Sequence, residues 1–156
     1  MVLSLKFLRS AVDAAAPGSY TRGMLSIEDH LRDLPSPVTL LYYTPDVPSA
    51  STRAERELLE EIARRADRIE LRVLAERWDA AREARVGIAR TPAIVPLGAR
   101  DYGIRYYGSP DGYELETFLS VVRAVSEGRS RLSPATAERL RGLNTPLHLE
   151  VLHAPT

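Results

Sequence analysis

Val38-Thr39-Leu40-Leu41-Tyr42-Tyr43, followed at once by Thr44-Pro45-Asp46-Val47-Pro48-Ser49-Ala50-Ser51, is the stretch on which the fold turns. Six residues without a charge, stopped upstream by Pro35 and Pro37, have the length of a strand. They lack the polar alternation of a half-exposed one, so cover is expected on both faces. The eight that follow are rich in Pro, Ser and Thr and read as a loop. Thr52 and Glu55 then have capping-box spacing and predict a helix to about Asp67. Its apolar stripe is Leu58, Leu59, Ile62 and Ala66, and Arg64, Arg65 and Arg68 cluster late, where the helix dipole favours cations. Ile69 to Leu74 alternates apolar and charged residues, which predicts a second strand. A buried strand, a helix and a second strand in that order form a parallel unit.

Working outward, residues 26–34 read as a helix capped by Ser26, with Ile27, Leu31 and Leu34 on one face. Downstream, a short Arg- and Ala-rich helix is expected over 77–86, ending near Gly87. Ala93 to Leu97 and Ile104 to Tyr107 read as two strands of a hairpin. Residues 112–126 read as a helix with Leu115, Leu119, Val122 and Val125 inward and Gly128 closing it. Ser133-Pro134 opens a last helix to about Leu143, and Leu147 to Leu152 alternates like a fresh strand. The order from 38 to 126 is β-α-β-α-β-β-α, an α/β sandwich around a small mixed sheet. Residues 1–23 are either an extension from an upstream start codon or a genuine first helix before the Pro17-Gly18 break. The sequence leaves both open.

Composition narrows the chemistry. With 44% hydrophobic and 27% charged residues in 156, one domain with appendages can bury a core. Twenty-one basic residues balance 21 acidic ones, so no net field draws the chain to nucleic acid or to an anionic membrane. No cysteine is present, which removes disulfides, thiolate metal ligands and thiol nucleophiles together. The default compartment is the cytoplasm. The N-terminal apolar residues are broken by Lys6, Arg9 and Asp13, so neither a signal h-region nor a membrane span is expected.

Three segments carry a family resemblance: Leu40 to Ala50, Arg90-Thr91-Pro92-Ala93, and Gly103 to Leu115 with its Gly108-Ser109-Pro110-Asp111-Gly112-Tyr113-Glu114 core. Over roughly residues 24–156 the chain resembles the first unit of the double-thioredoxin proteins. These are the glutaredoxin-like protein disulfide oxidoreductases and the N-terminal domain of the flavoprotein component of alkyl hydroperoxide reductase. The resemblance implies a thioredoxin-like fold over 24–130, a cis bond at Thr91-Pro92 and thiol–disulfide chemistry in the parent family. No cofactor and no metal are expected. The active-site loop of that family needs C-x-x-C, and here Val47 and Ala50 stand at its two cysteine positions. Neither can attack a disulfide. Residues 131–156 resemble a linker helix and the first strand of a second unit, in which C-x-x-C would follow Ala154-Pro155-Thr156. The expectation is a redox-inactive scaffold or protein-binding unit whose partner is a second thioredoxin unit or another protein. Uncovered apolar surface would also favour a homo-oligomer. The alternative is a stand-alone module binding an extended peptide along Pro48, Thr91 and Pro92.

Other constellations carry less. Thr44, Ser49 and Ser51 are hydroxyls without a nearby histidine base, and capping by Ser51 or Thr52 is the plainer role. His30, His148 and His153 have no metal-ligand spacing. Trp78, Tyr102, Tyr106, Tyr107 and Tyr113 are expected in or beside the core rather than as a nucleic-acid stacking platform. The arginines of 77–90 are expected on a solvated face.

Overall fold

The computed structural model describes residues 26–45, 47–75, 86–130 and 132–145. Strands β1 (Val38–Thr44), β2 (Ile69–Ala75) and β3 (Ala93–Leu97) form a sheet in the order β2-β1-β3. Helices α1 (Ile27–Leu31), α2 (Ala50–Arg64), α3 (Glu114–Glu127) and α4 (Pro134–Arg141) accompany it. β1 is central as its composition requires, parallel to β2 from Val38–Ile69 to Thr44–Ala75 and antiparallel to β3 from Thr39–Leu97 to Tyr43–Ala93.

The two faces of β1 feed two cores. Val38, Leu40 and Tyr42 point to the face carrying α1, α2 and α3, where they join Leu31, Leu59, Ile62, Ile94, Tyr106, Phe118 and Val122. Tyr43 lies on the other face with Ile88, Ala93, Val95 and Tyr107. The adjacent tyrosines 106 and 107 therefore split between faces, as successive strand side chains must. Tyr106 meets Phe118 edge-to-face with centroids 5.2 Å apart, and the Tyr107 hydroxyl accepts the Ala89 N–H at 2.9 Å.

Several sequence expectations need correction. Ile104 to Tyr107 is not a full strand: its pairing with β3 is one isolated bridge, Ile94 to Tyr106. Ile94 exchanges both bonds there, at 2.8 and 2.9 Å. The next positions of β3 on that edge, two residues either way, are Pro92 and Pro96, which have no N–H to donate. The helix after the loop begins at Ala50, three residues earlier than a cap at Thr52 implies, because Ser49 is its cap, accepting the Thr52 N–H at 3.2 Å. Glu55 does not reach back as a capping-box residue; it is buried. α1 stops at Leu31, α2 at Arg64 and α4 at Arg141, short of the expected ends, and His30 is buried in α1. Tyr113 is 90% exposed instead of packed. The helix expected over 77–86, the strand over 147–152, residues 1–23, Trp78, His148 and His153 fall outside the described residues, apart from the last helical position, Val86.

Backbone ties complete the frame. Arg123 on α3 donates to the carbonyls of His30 and Arg32 at 2.7 and 2.6 Å, which satisfies carbonyls left free at the short end of α1. Ser126 exchanges bonds with the Ser36 backbone just before β1. Gly128 ends α3 in the left-handed region at φ 67°. Gly98, after β3, has no such φ, but a Cβ there would lie 2.6 Å from the Val125 carbonyl oxygen and 3.0 Å from its Cγ1. Because the first obstacle is helix backbone, Gly98→Ala must push β3 and α3 apart. It is expected to cost about 1–3 kcal/mol. A circular-dichroism melt should show the midpoint falling by several degrees; an unchanged midpoint would mean the strand end yields freely.

Candidate functional site

The C-terminal end of β1 collects every segment that the sequence singled out. Tyr43 pairs with Ala93, so Thr44 comes opposite Pro92 one step further on. The Ile94–Tyr106 bridge leads the chain toward the same end, where the Asp111 charge acts on Glu55 in α2. The loop leading into α2 and the Thr91-Pro92 segment thus share one rim, with the segment of Asp111 beside it. The Thr91-Pro92 bond is cis. Val47 is 84% exposed on this rim, Pro48 and Ala50 are exposed, and Thr91 and Pro92 are half-buried.

Beneath the rim lies a buried carboxyl. Tyr42 donates to Glu55 Oε2 at 3.0 Å and contacts the Thr52 carbonyl at 3.2 Å, pinning the first turns of α2 to β1. Glu55 is 3% exposed, and its Oε1 has no hydrogen-bond partner. Burial raises its pKa to about 7; the Tyr42 bond lowers it in part, and the Asp111 charge adds to the rise. Burial, reinforced by Glu55, holds the Tyr42 phenol above its ordinary value. Capping-box spacing alone marks Glu55 as a cap, but register marks it as inward: positions 55, 58, 59 and 62 are one stripe of α2, and Glu55 stands in line with the leucines.

No nucleophile is organised on this rim. Ser49 Oγ is taken up by the Thr52 N–H and lies 2.8 Å from Ser51 Oγ and 3.3 Å from Thr52 Oγ1, with no base among its partners. Among the described residues no cluster of three His, Cys, Asp or Glu could hold a metal ion. No helix among them is long and apolar enough to cross a membrane.

A second anchor holds the approach to Pro92. Arg105 is 8% exposed and uses its whole fork: Nη1 and Nη2 on Asp101 at 2.9 and 2.7 Å, Nε and Nη2 on the Val86 carbonyl at 3.2 and 2.8 Å. Nη1 also reaches the Ile104 carbonyl at 3.0 Å. Arg90, exposed next to Thr91, places its guanidinium 5.1 Å from the centre of the Tyr107 ring. Nothing in the local sequence marks Arg105 as buried.

A parallel β1-α2-β2 unit, an antiparallel β3, a closing helix and a cis-proline at the loop rim define a thioredoxin-like fold, here without the cysteines of its redox chemistry. Solved structures agree. The NTD_N/C domain of the alkylhydroperoxide reductase AhpF from Enterococcus faecalis is similar at 26% identity and a TM-score of 0.60, over 70% of this chain and 53% of that one. A mutant structure of Enterococcus faecalis AhpF matches at 25% identity and 0.64, over 75% of this chain and 57% of that one. A protein disulfide oxidoreductase from Aeropyrum pernix shares the fold at 21% identity and 0.63, over 75% and 52%. The chain therefore spans little more than half the length of each. No family model and no curated protein matches the sequence.

Proposed function

We propose that this chain is the redox-inactive scaffold half of a tandem thioredoxin arrangement, a unit that packs beside a catalytic one and shapes its protein-binding surface. The observation that carries the reading is a strand, capped helix and cis-proline frame without a cysteine, and the family resemblance aligns Val47 and Ala50 with the positions of C-x-x-C. Similarity to about half of each AhpF structure supports it. The parent activity, dithiol–disulfide exchange, would then belong to cysteines supplied by the neighbouring unit.

The frame is testable by refilling it. Val47→Cys with Ala50→Cys places both sulfurs at the N-terminus of α2, where the helix dipole lowers a thiol pKa. The double variant should reduce a model disulfide measurably, against none for the cysteine-free parent. A folded double variant with no dithiol reactivity would refute the loop assignment. Peptides running past Thr156 into a C-x-x-C in the native protein would support the tandem arrangement; a native mass equal to that of this chain would remove it.

One observation favours a second reading, a binding module on its own. Of the three large apolar side chains exposed among the described residues, Val47 and Tyr113 stand on segments that meet at this rim. An extended peptide laid past Thr91 and Pro92 would cover them. Val47→Ser with Tyr113→Ser should then abolish capture of an unstructured polypeptide while leaving the melting curve unchanged.

A further inference from the structure

We propose that the outer edge of β2 is a homodimer interface, joining two copies of this chain into one continuous six-stranded sheet about a two-fold axis at Leu71. β2 pairs with β1 along all seven of its residues and is the edge strand of the sheet among the described residues. The Val38 N–H binds the Arg68 carbonyl at 2.9 Å, so the even-numbered residues of β2 turn their backbone groups toward β1. Leu71, Val73 and Ala75 turn theirs outward. Ile69 differs, because its N–H is already held by the Ala66 carbonyl at 3.0 Å.

Edges usually carry a device against pairing: a proline, a bulge or an unbalanced charge. β2 has no proline, and its ladder with β1 runs unbroken. Its two charged residues are of opposite sign and lie symmetrically about Leu71: Glu70 and Arg72, joined by contacts of 2.8 and 3.1 Å. Both are more than half exposed, and Thr39 of β1 lies beside Glu70. In an antiparallel pair centred on Leu71, Glu70 of each copy faces Arg72 of the other, and Leu71 exchanges both backbone bonds with its counterpart. Moving the axis to Arg72 would set the two arginines against each other. The charge pattern thus selects one occupant, a second copy, and one register. Half-exposed Leu71 and Val73 would gain cover on the helical face.

Sedimentation equilibrium of the full chain tests this. The parent should be dimeric at micromolar concentration. Arg72→Glu or Glu70→Arg alone puts like charges opposite each other twice and should weaken the dimer on the order of tenfold or more. The exchange Glu70→Arg with Arg72→Glu should restore it. Val73→Pro removes an outward N–H that the monomer does not use and should give a folded monomer. A parent that stays monomeric at 100-fold higher concentration overturns the proposal. So do single charge variants that dimerise like the parent, or a double variant that does not recover. The cysteine-restoration result is independent of all these outcomes.

Discussion

Glu55→Gln is expected to leave stability nearly unchanged at pH 5 and to raise it at pH 8. Glu55 is buried with one oxygen on the Tyr42 hydroxyl and the other without a partner, and its pKa in the fold is raised from 4.5 to about 7. A carboxyl that holds its proton more tightly when folded stabilises the fold fully below the unfolded value. That contribution is lost as pH rises from about 4.5 through about 7 and is flat beyond. At pH 5 glutamine and the neutral acid are close equivalents: each offers Tyr42 an acceptor and leaves one polar group unpaired. At pH 8 the parent must bury a carboxylate near Asp111, and glutamine need not. The shift corresponds to at most about 3 kcal/mol between the two variants. Urea denaturation at half-unit pH steps should show the curves diverging between pH 5 and 7. Parallel curves would mean that Glu55 reaches water in the folded protein.

Arg105→Met should destabilise the chain at every pH near neutrality, and the damage should be centred on the approach to Pro92. Arg105 satisfies Asp101, Val86 and Ile104 from a site only 8% exposed, and methionine fills comparable length while donating to none of them. Removing one member of a buried ion pair costs about 3–5 kcal/mol. The lower end applies here, since the Asp101 side chain is 46% exposed and can rehydrate. Arg105→Lys should recover little, because an ammonium cannot span a bidentate carboxylate and a carbonyl together. Hydrogen exchange should localise the loss: Ala89, whose N–H is held by Tyr107, should lose protection before the β1–β2 ladder does. Uniform loss across the sheet would count against a local clamp. The Arg105 bond also holds the Asp101 pKa below its ordinary value, so the contribution of the pair is present above the unfolded carboxylate range and is lost as pH falls through the folded value.

These two residues show where pattern reading stops. Helix stripes and strand runs are local periodicities, and most of them survive: Leu59 and Ile62 of the α2 stripe and Leu119, Val122 and Val125 of α3 are all buried, as is Ala66 just past the end of α2. Boundaries moved where two local signals competed. Ser49 and Thr52 are both good caps three residues apart, and only the chain's approach from Thr44 decides between them. The candidate rim was partly legible, because Val47, Ala50 and Pro92 lie within recognisable segments. Glu55 and Arg105 were not, since burial of a charge depends on which partners a distant segment brings: Tyr42 from β1 for one, Asp101 and the Val86 carbonyl for the other.

By itself, the sequence determined that these 156 residues supply no thiol, since a missing side-chain type needs no structure to exclude it. It also predicted the α/β class and most of the described elements, because 3.6- and 2-residue periodicities with Pro and Gly punctuation are local physics, while the thioredoxin-like class was implied by the resemblance of three segments. Only the tertiary structure decided that Ile104 to Tyr107 forms a single bridge, that a carboxyl is buried in the first turns of α2, and that β2 has a symmetric charged edge. Each depends on which backbone groups meet across the fold. A bridge that brings Tyr106 to Ile94, a hydroxyl arriving from Tyr42 and a sheet that among the described residues ends at β2 are relations between segments far apart in the chain, which no window of neighbouring residues contains.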